Sequence, residues 1–164
     1  MLTTMKTFFK LFLLSVIISL IACSSSQSFN QFYDNHKNDE YVTSFQVPGY
    51  LRSLLRNASP ELNNLFKNVK DFKSITFTQA TPQQSEQIMN EINYITRNNT
   101  DVVRKNEGDE RLLISVKEKG DRIKQVILYK NNGSKHNILY LKGNFDAERI
   151  KQLANEHEFD NLYD

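Results

Sequence analysis

Three runs of β-favouring residues in the C-terminal half constrain the fold of this chain more than any other feature. The runs span residues 111–116, 123–129 and 137–141, and short polar segments at 118–121 and 131–134 separate them. The second segment contains Asn132-Gly133, a pair that favours tight type I′ hairpins because both residues tolerate positive φ. The spacing therefore predicts an antiparallel three-strand meander.

The middle run of this meander carries apolar residues on both of its faces. Ile123, Ile127 and Tyr129 alternate with Val126 and Leu128. A strand that is apolar on both faces needs cover on both. This pattern predicts a central strand with helices packed on one side of the sheet.

The region before the meander alternates between helical and extended patterns. Residues 41–47 and 72–78 are predicted strands, 100–105 a further short strand, and 106–110 a turn. Thr81-Pro82 is a favourable start for a helix that buries Ile88, Ile92 and Ile95. Two further apolar stripes predict a helical pair, and they consist of Leu51, Leu54, Leu55 and of Leu62, Leu65, Phe66, Val69.

After the meander, Asp146 is placed to cap a final helix that buries Ile150 and Leu153. Helices segregated from a mainly antiparallel sheet define an α+β fold. We expect a sheet with a C-terminal three-strand meander and helices packed on one face.

The N-terminal segment resembles the signal of a bacterial lipoprotein. Lys6 and Lys10 precede an apolar run over residues 11–21, which is too short to cross a bilayer as a helix. The run ends in Leu20-Ile21-Ala22-Cys23, the pattern of a lipobox. We therefore predict cleavage between Ala22 and Cys23 and lipidation of Cys23. The alternatives are an ordinary cleaved secretory peptide and an uncleaved helical anchor.

These observations divide the chain into four parts. Residues 1–22 are the predicted signal peptide, 23–40 the lipidated cysteine and a polar tether, 41–155 a single α+β domain, and 156–164 an acidic tail. The tether contains Phe29, Phe32 and Tyr33, whose spacing fits either a short helix docked on the domain or aromatics that fold back.

The charge balance argues against a nucleic-acid-binding surface. The 21 lysines and arginines exceed the 19 acidic residues by two, and Lys6 and Lys10 leave with the signal peptide. The mature chain is then neutral, so net charge predicts no nucleic-acid partner. Because Cys23 is the only cysteine, lipidation leaves no thiol for a disulfide or for catalysis.

Candidate metal ligands and catalytic groups are few. His36, His136 and His157 show no short metal-binding spacing, and His136 is predicted to lie at an edge or on the surface. The best metal candidate is the tail cluster, which a solvated acidic end explains better, and it comprises Glu156, His157, Glu158, Asp160 and Asp164. No serine lies in a nucleophile elbow, and no glycine-rich loop cradles a phosphate. We predict no catalytic residue, cofactor or metal.

Three other groups of residues have a functional alternative. Asp39-Glu40 and Asp109-Glu110 read as solvated loop charges. The N-terminal aromatics read as core, with a partner groove as the alternative, and they are Phe29, Phe32, Tyr33, Tyr41, Phe45 and Tyr50. A basic zone reads as a solvated hairpin face, with an acidic partner or lipid headgroups as the alternative, and it comprises Lys117, Lys119, Arg122, Lys124 and Lys130.

The C-terminal half resembles a known family. A strand ending in Val116-Lys117-Glu118-Lys119-Gly120, a strand beginning at Ile123, a strand ending in Leu139-Tyr140-Leu141-Lys142-Gly143 and a helix from Asp146 are similar to domain of unknown function 4252. This is a family of small Bacteroidota lipoproteins. The resemblance implies a cell-envelope location and supplies no catalytic residues.

The sequence thus predicts a cell-envelope lipoprotein held in the membrane by the lipid on Cys23. Ser24 and Ser25 lack an acidic retention signal, which favours the outer membrane and its periplasmic face over the cell surface. The leading hypothesis for its role is a non-enzymatic module that binds or scaffolds another envelope protein. The alternative is a periplasmic carrier of a small apolar ligand, and a hydrolytic enzyme ranks third.

Overall fold

The computed structural model describes residues 27–49, 68–108, 110–148 and residue 150. Two helices and six strands lie in this part of the chain. They follow in the order α1 (Phe29–His36), β1 (Val42–Gln46), β2 (Val69–Phe77), α2 (Pro82–Thr96), β3 (Thr100–Glu107), β4 (Glu110–Lys119), β5 (Arg122–Asn132) and β6 (Lys135–Phe145). The predicted strands at 41–47, 72–78 and 100–105 and the helix after Thr81 are therefore present, whereas the predicted helices between 51 and 66 lie outside the described residues.

The strands form one antiparallel sheet in the order β1-β2-β6-β5-β4-β3. Both helices pack on the same face of it, where their side chains join the sheet in a single apolar cluster. The cluster includes Phe29, Phe32 and Tyr33 of α1 and Ile88 and Ile92 of α2. This arrangement confirms the α+β class and the C-terminal meander of β4, β5 and β6.

Each hairpin between β3 and β6 turns through two residues, of which the first is a glycine. Gly108, Gly120 and Gly133 have φ values of 59°, 65° and 61°, in the region that glycine adopts without steric cost. Asn132 pairs with Lys135 as the last residue of β5, so the final turn is Gly133-Ser134. The predicted Asn132-Gly133 corner was wrong by one residue, because the ladder extends one residue further than the apolar pattern does.

The central strand β5 is covered on both faces, as its composition predicts. Ile127 and Tyr129 face the helices, and Val126 and Leu128 face the opposite cluster. Ile123 lies with Val126 and Leu128, not with Ile127 as the simple alternation predicted. The pairing register shifts between Ile123 and Gln125, and one extra residue in a strand reverses the face of the residues beyond it.

The helix α1 belongs to the folded domain. Ser28 caps it by accepting from the Gln31 N–H, and the Gln31 side chain accepts from the Ser28 N–H in return. Its aromatic side chains are buried, so the docked-helix alternative for Phe29, Phe32 and Tyr33 is confirmed. The packed part of the chain therefore includes α1 as well as the strands that follow it.

The sheet face opposite the helices carries the second apolar cluster. Val69 is buried there as the first residue of β2, not in the helical stripe predicted for it, and Ala147 and Ile150 pack against the same cluster. Asp146 accepts from the Glu148 N–H at 3.0 Å, which confirms its predicted capping position. The tail at 156–164 lies outside the described residues.

A close approach of two backbone segments joins β2 to β6. Gly143 pairs with Val69, and the Asn144 N–H donates to the Asn68 carbonyl at 3.1 Å. A Cβ at position 143 would collide with the Asn68 carbonyl oxygen and lie 2.6 Å from the Phe145 ring. Only glycine fits this crossing.

Candidate functional site

Several predicted functional residues lie outside the described part of the chain. These are the cleavage and lipidation residues Ala22 and Cys23, the tail histidine His157 with its neighbouring acids, and Tyr50 and Asp109. Cleavage and lipidation therefore stay predictions.

Within the described part, polar side chains on the helix side of the sheet gather in two rows, one at each end. One row runs across the strands as His136, Asn131 and Arg111, with Phe77 beside His136 on β2. The other runs as Asp71, Lys142, Gln125 and Lys117. The apolar core lies between them. His136 and Asn131 are buried in the first row, whereas Lys142 and Lys117 of the second row are exposed.

His136 is fully buried, so the prediction that it lies at an edge or on the surface was wrong. It occupies the second position of β6, and β6 is an inner strand with β2 and β5 on either side. Its Nδ1 lies 3.0 Å from the Tyr129 hydroxyl and its Nε2 lies 2.9 Å from Ser85 Oγ. Burial lowers its pKa to about 4, so the imidazole is neutral at neutral pH.

The direction of this hydrogen-bond chain decides what it can do. The Asn131 side chain is hydrogen-bonded to Tyr129, while Asn131 Oδ1 has no partner within the described residues, so the amide nitrogen is the donor. The Tyr129 oxygen can accept from both neighbours or donate to one of them, so the imidazole tautomer sets the direction of both His136 bonds. With the proton on Nδ1, His136 Nε2 accepts from Ser85 Oγ, and with the proton on Nε2 it donates to Ser85.

A shallow cavity of about 410 Å³ opens beside Ser85 at the start of α2. Arg111 and Asn131 line it together with Met89, and the Arg111 guanidinium contacts the Met89 sulfur. The cavity wall is more apolar than polar, and Ser85, one of its two serines, is bonded to the imidazole behind it. The bonds of Ser85 and His136 to each other and to Tyr129 satisfy polar groups at the edge of the buried core, which is a structural role.

At the opposite end of the sheet, a cavity of about 190 Å³ lies between the start of α1 and the end of α2. Three cationic residues, Arg97, Lys117 and Lys142, line it, and its described wall contains no carboxylate. Its apolar floor includes Phe29 stacked on Tyr140, with ring centroids 4.6 Å apart. This cavity is cationic at its mouth and aromatic at its base.

The largest of these cavities, about 570 Å³, lies between the end of α1 and the start of α2. His36 lies on its wall and bonds Asp39 at 2.7 Å and Glu91 at 3.3 Å. Asp39 is thus a partner of His36 and not only the solvated loop charge that was predicted, while Glu40 is exposed. In the described residues no group of three or more metal-ligating side chains gathers.

Two aromatic residues are exposed at the sheet edge, Phe45 in β1 and Tyr41 directly before it. Tyr41 is 54 % exposed and Phe45 is 56 % exposed, although the predicted role of both was core packing. Phe45 makes only an edge contact with the Phe72 ring, at 6.3 Å between centroids. These are the exposed large apolar side chains of the described part of the chain.

The comparisons with known proteins identify a family. A family profile described as Domain of unknown function (DUF4252) matches residues 33–153, which is most of the chain. The chain belongs to the DUF4252 family. No curated protein and no solved structure matches it. The DUF4252 match confirms the resemblance from the C-terminal strands and extends it back into α1.

The basic zone predicted in this DUF4252 chain is divided by the fold. Arg122 lies 3.3 Å from Asp146, and Lys124 bonds Asn144, so both are held at the tip of the β4–β5 hairpin. Lys117 lines the cationic cavity. Lys130 lies eight residues after Arg122 on β5, towards the opposite end of the sheet. The sequence did not predict that Lys142 and Arg97 join Lys117, because only strand register and helix docking bring them together.

Neither described helix is long and apolar enough to cross a bilayer.

Proposed function

We propose that this DUF4252 chain is a lipid-anchored protein of the cell envelope that binds an extended segment of another envelope protein along β1. The observation that carries the proposal is the uncharged edge of the sheet at β1, where no further strand pairs within the described residues. The lipid anchor at Cys23 rests on the lipobox in the sequence.

The hydrogen-bonding pattern of β1 leaves groups available on its outer side. The Tyr41 carbonyl accepts from Thr78, and the Val47 N–H donates to Phe72, so the odd-numbered residues bond to β2. In an antiparallel ladder the alternate residues point the other way. The N–H and C=O groups of Ser44 therefore point outward, towards a position where a further strand would pair.

The two edges of the sheet differ in chemistry. The β1 sequence VTSFQ carries no charge, whereas β3 at the other edge carries Asp101, Arg104, Lys105 and Glu107. Charged residues on an edge strand protect it from pairing with another chain. The edge at β3 is protected in this way and the edge at β1 is not.

The backbone at the start of β1 is strained. Tyr41 has φ 60°, a left-handed conformation that costs a non-glycine residue about 1–2 kcal/mol. Tyr41 is also exposed, and its ring lies next to the edge strand β1. Strained residues concentrate at functional sites. Tyr41 and Phe45 thus provide apolar contacts to a strand that pairs with Ser44.

A photo-reactive residue at position 45 should crosslink the partner in cells that express the full chain, and one at position 105 on β3 should not. Ser44→Pro should weaken capture at position 45 by about tenfold, because it removes an outward N–H donor. Crosslinking followed by mass spectrometry measures both. Equal adducts at positions 45 and 105, or adducts that survive Ser44→Pro, would exclude the β1 interface.

The matched control for this variant is Thr43→Pro. The Thr43 N–H points to β2, so this proline should cost about 3 kcal/mol of stability, while Ser44→Pro should leave the thermal midpoint nearly unchanged. The contrast separates loss of the interface from loss of the fold.

The anchor is tested separately from the interface. Cys23→Ser should abolish labelling by a fatty-acid analogue and leave the precursor uncleaved by the lipoprotein pathway, because the lipid is attached to the cysteine sulfur. Ser25→Ala is the control that keeps labelling. Persistent labelling of the Cys23→Ser chain would show that the anchor is elsewhere.

The other two roles have less support. The cavities described above open to solvent and each has charged side chains on its wall, which suits an enclosed apolar ligand poorly. For an enzyme, the partners of His136 in the described part of the chain are the hydroxyl groups of Tyr129 and Ser85, and no carboxylate bonds the imidazole to orient it as a general base. A binding module without catalysis is therefore the role we propose.

A further inference from the structure

The cationic cavity lies close to the point where the chain enters the membrane if Cys23 is lipidated. Gln27 is on the cavity wall, and four residues of chain span at most about 14 Å. The sulfur that would carry the lipid is thus confined to the neighbourhood of this cavity. The tip of the β4–β5 hairpin, with Gly120, is at the same end of the sheet.

The charges of the cavity come from three separate elements. Lys117 on β4 and Lys142 on β6 both lie in register with Gln125 on β5, so the two ammonium groups flank one amide on the helix side of the sheet. Arg97 follows α2 and stacks on Tyr94, with the guanidinium carbon 3.8 Å from the ring centroid. Neither Lys117 nor Lys142 has an ion pair within the described residues.

The nearest carboxylate in the same row is engaged with another cation. Asp71 is the register partner of Lys142, but its ion pair is with the buried Lys73, at 3.8 Å. Asp71 is not on the cavity wall. Burial first and the Asp71 charge second raise the pKa of Tyr140 on the cavity floor to about 12, so Asp71 offsets part of the positive charge. Three cations on the wall against this one carboxylate leave the cavity positive.

Backbone donors complete the site. Phe29 and Asn30 line the cavity and are the first two residues of α1. Their N–H groups precede the first acceptor within the helix, while the Gln31 N–H is already capped by Ser28. The Phe29 and Asn30 N–H groups have no acceptor among the described residues of the chain, and with the positive end of the helix they add to the three cations. A phosphate group accepts from such donors.

We propose that this cavity binds the phosphate of an anionic lipid headgroup in the membrane to which Cys23 is anchored. The inference rests on the proposed lipid anchor and is independent of the β1 interface. At about 190 Å³ the cavity is smaller than the usual 300–1,000 Å³ of pockets for whole ligands, and it suits a headgroup whose acyl chains stay in the bilayer. A headgroup held there would fix the orientation of the domain on the membrane.

The test uses the full lipoprotein placed in nanodiscs of phosphatidylcholine alone or with one quarter phosphatidylglycerol. Hydrogen exchange of the amides of residues 27–31, followed by mass spectrometry, should be slower in the anionic discs. Each lysine near an anionic surface contributes about fivefold in affinity, so Lys117→Gln with Lys142→Gln should lose about 25-fold and with it the protection.

The control is the double variant Lys105→Gln with Lys135→Gln, which removes the same charge from β3 and from the hairpin at the other end of the sheet and should keep the protection. Equal exchange in the two kinds of disc would overturn the proposal. If inorganic phosphate added to phosphatidylcholine discs then protected the same amides, the cavity would be assigned to a soluble phosphate compound. Co-elution with phosphatidylcholine discs reports on the anchor by itself, so failure of the anchor and failure of the headgroup site are distinguished.

Discussion

Acidification from pH 7 to pH 4 should lower the free energy of unfolding by about 3 kcal/mol through His136 alone. Burial lowers the pKa of this imidazole to about 4 in the folded chain, whereas an unfolded histidine titrates near 6.5. The stabilising contribution is therefore complete above pH 6.5. It is lost as pH falls through the interval from 6.5 to 4, because the unfolded chain binds a proton that the folded chain does not.

Urea unfolding at several pH values between 7.5 and 4 measures this loss. His136→Gln should be less stable at neutral pH, since it disturbs the bonds to Tyr129 and Ser85, and its stability should change less between pH 6.5 and pH 4. His36→Gln is the control, because His36 is partly exposed and should leave the His136 contribution in place. If His136→Gln shows the same acid dependence as the natural chain, another group is responsible.

Gly143→Ala should destabilise the fold by about 3 kcal/mol, near the upper end of what added volume costs in a packed interior. The new methyl group would collide with the Asn68 carbonyl and with the Phe145 ring. The carbonyl belongs to the backbone and accepts from the Asn144 N–H, so moving it would break this hydrogen bond at the end of the β2–β6 ladder. Thermal or urea unfolding measures the loss.

Gly120→Ala is the comparison for this effect. Gly120 has φ +65° in a hairpin turn, and no atom lies near the position of its missing Cβ. Alanine there meets only the backbone penalty of about 1 kcal/mol. If both variants lose the same amount, crowding at the β2–β6 crossing is not what constrains position 143.

The features that follow from local pattern were predictable from the sequence. Thr81-Pro82 starts α2 because the capping residue and the proline act within one helical turn. The meander follows from alternating apolar residues and turn glycines. Phe29, Phe32 and Tyr33 already had the spacing of a docked helix.

The features that depend on register or tertiary position were not predictable in the same way. His136 is a polar residue at the start of a strand, and it is buried only because β2 pairs with β6 across some sixty residues of chain. Ile123 changes faces because of an irregularity that no composition marks. Tyr41 and Phe45 look like core residues in a short apolar strand, and their exposure follows from the edge position of β1.

The cationic cavity illustrates the same limit. Lys117 belonged to a visible basic zone, but Lys142 lies on another strand and Arg97 follows a helix. Only the alignment of β4, β5 and β6 brings the two lysines to one row. A charge count over the whole chain, which gives only +2, conceals this local excess.

The strand order of the sheet also dictates the sequence of events when the chain folds. The strands from β3 to β6 pair with their neighbours in the chain. Their contacts are therefore local, and they can pair one after another through three short turns. The β1–β2 hairpin is synthesised first, yet it must wait for β6, the last strand, before β2 gains its second neighbour. In a chain that emerges N-terminus first, the earliest strands thus remain the longest without partners, and protection of that hairpin against aggregation is needed until residue 145 arrives.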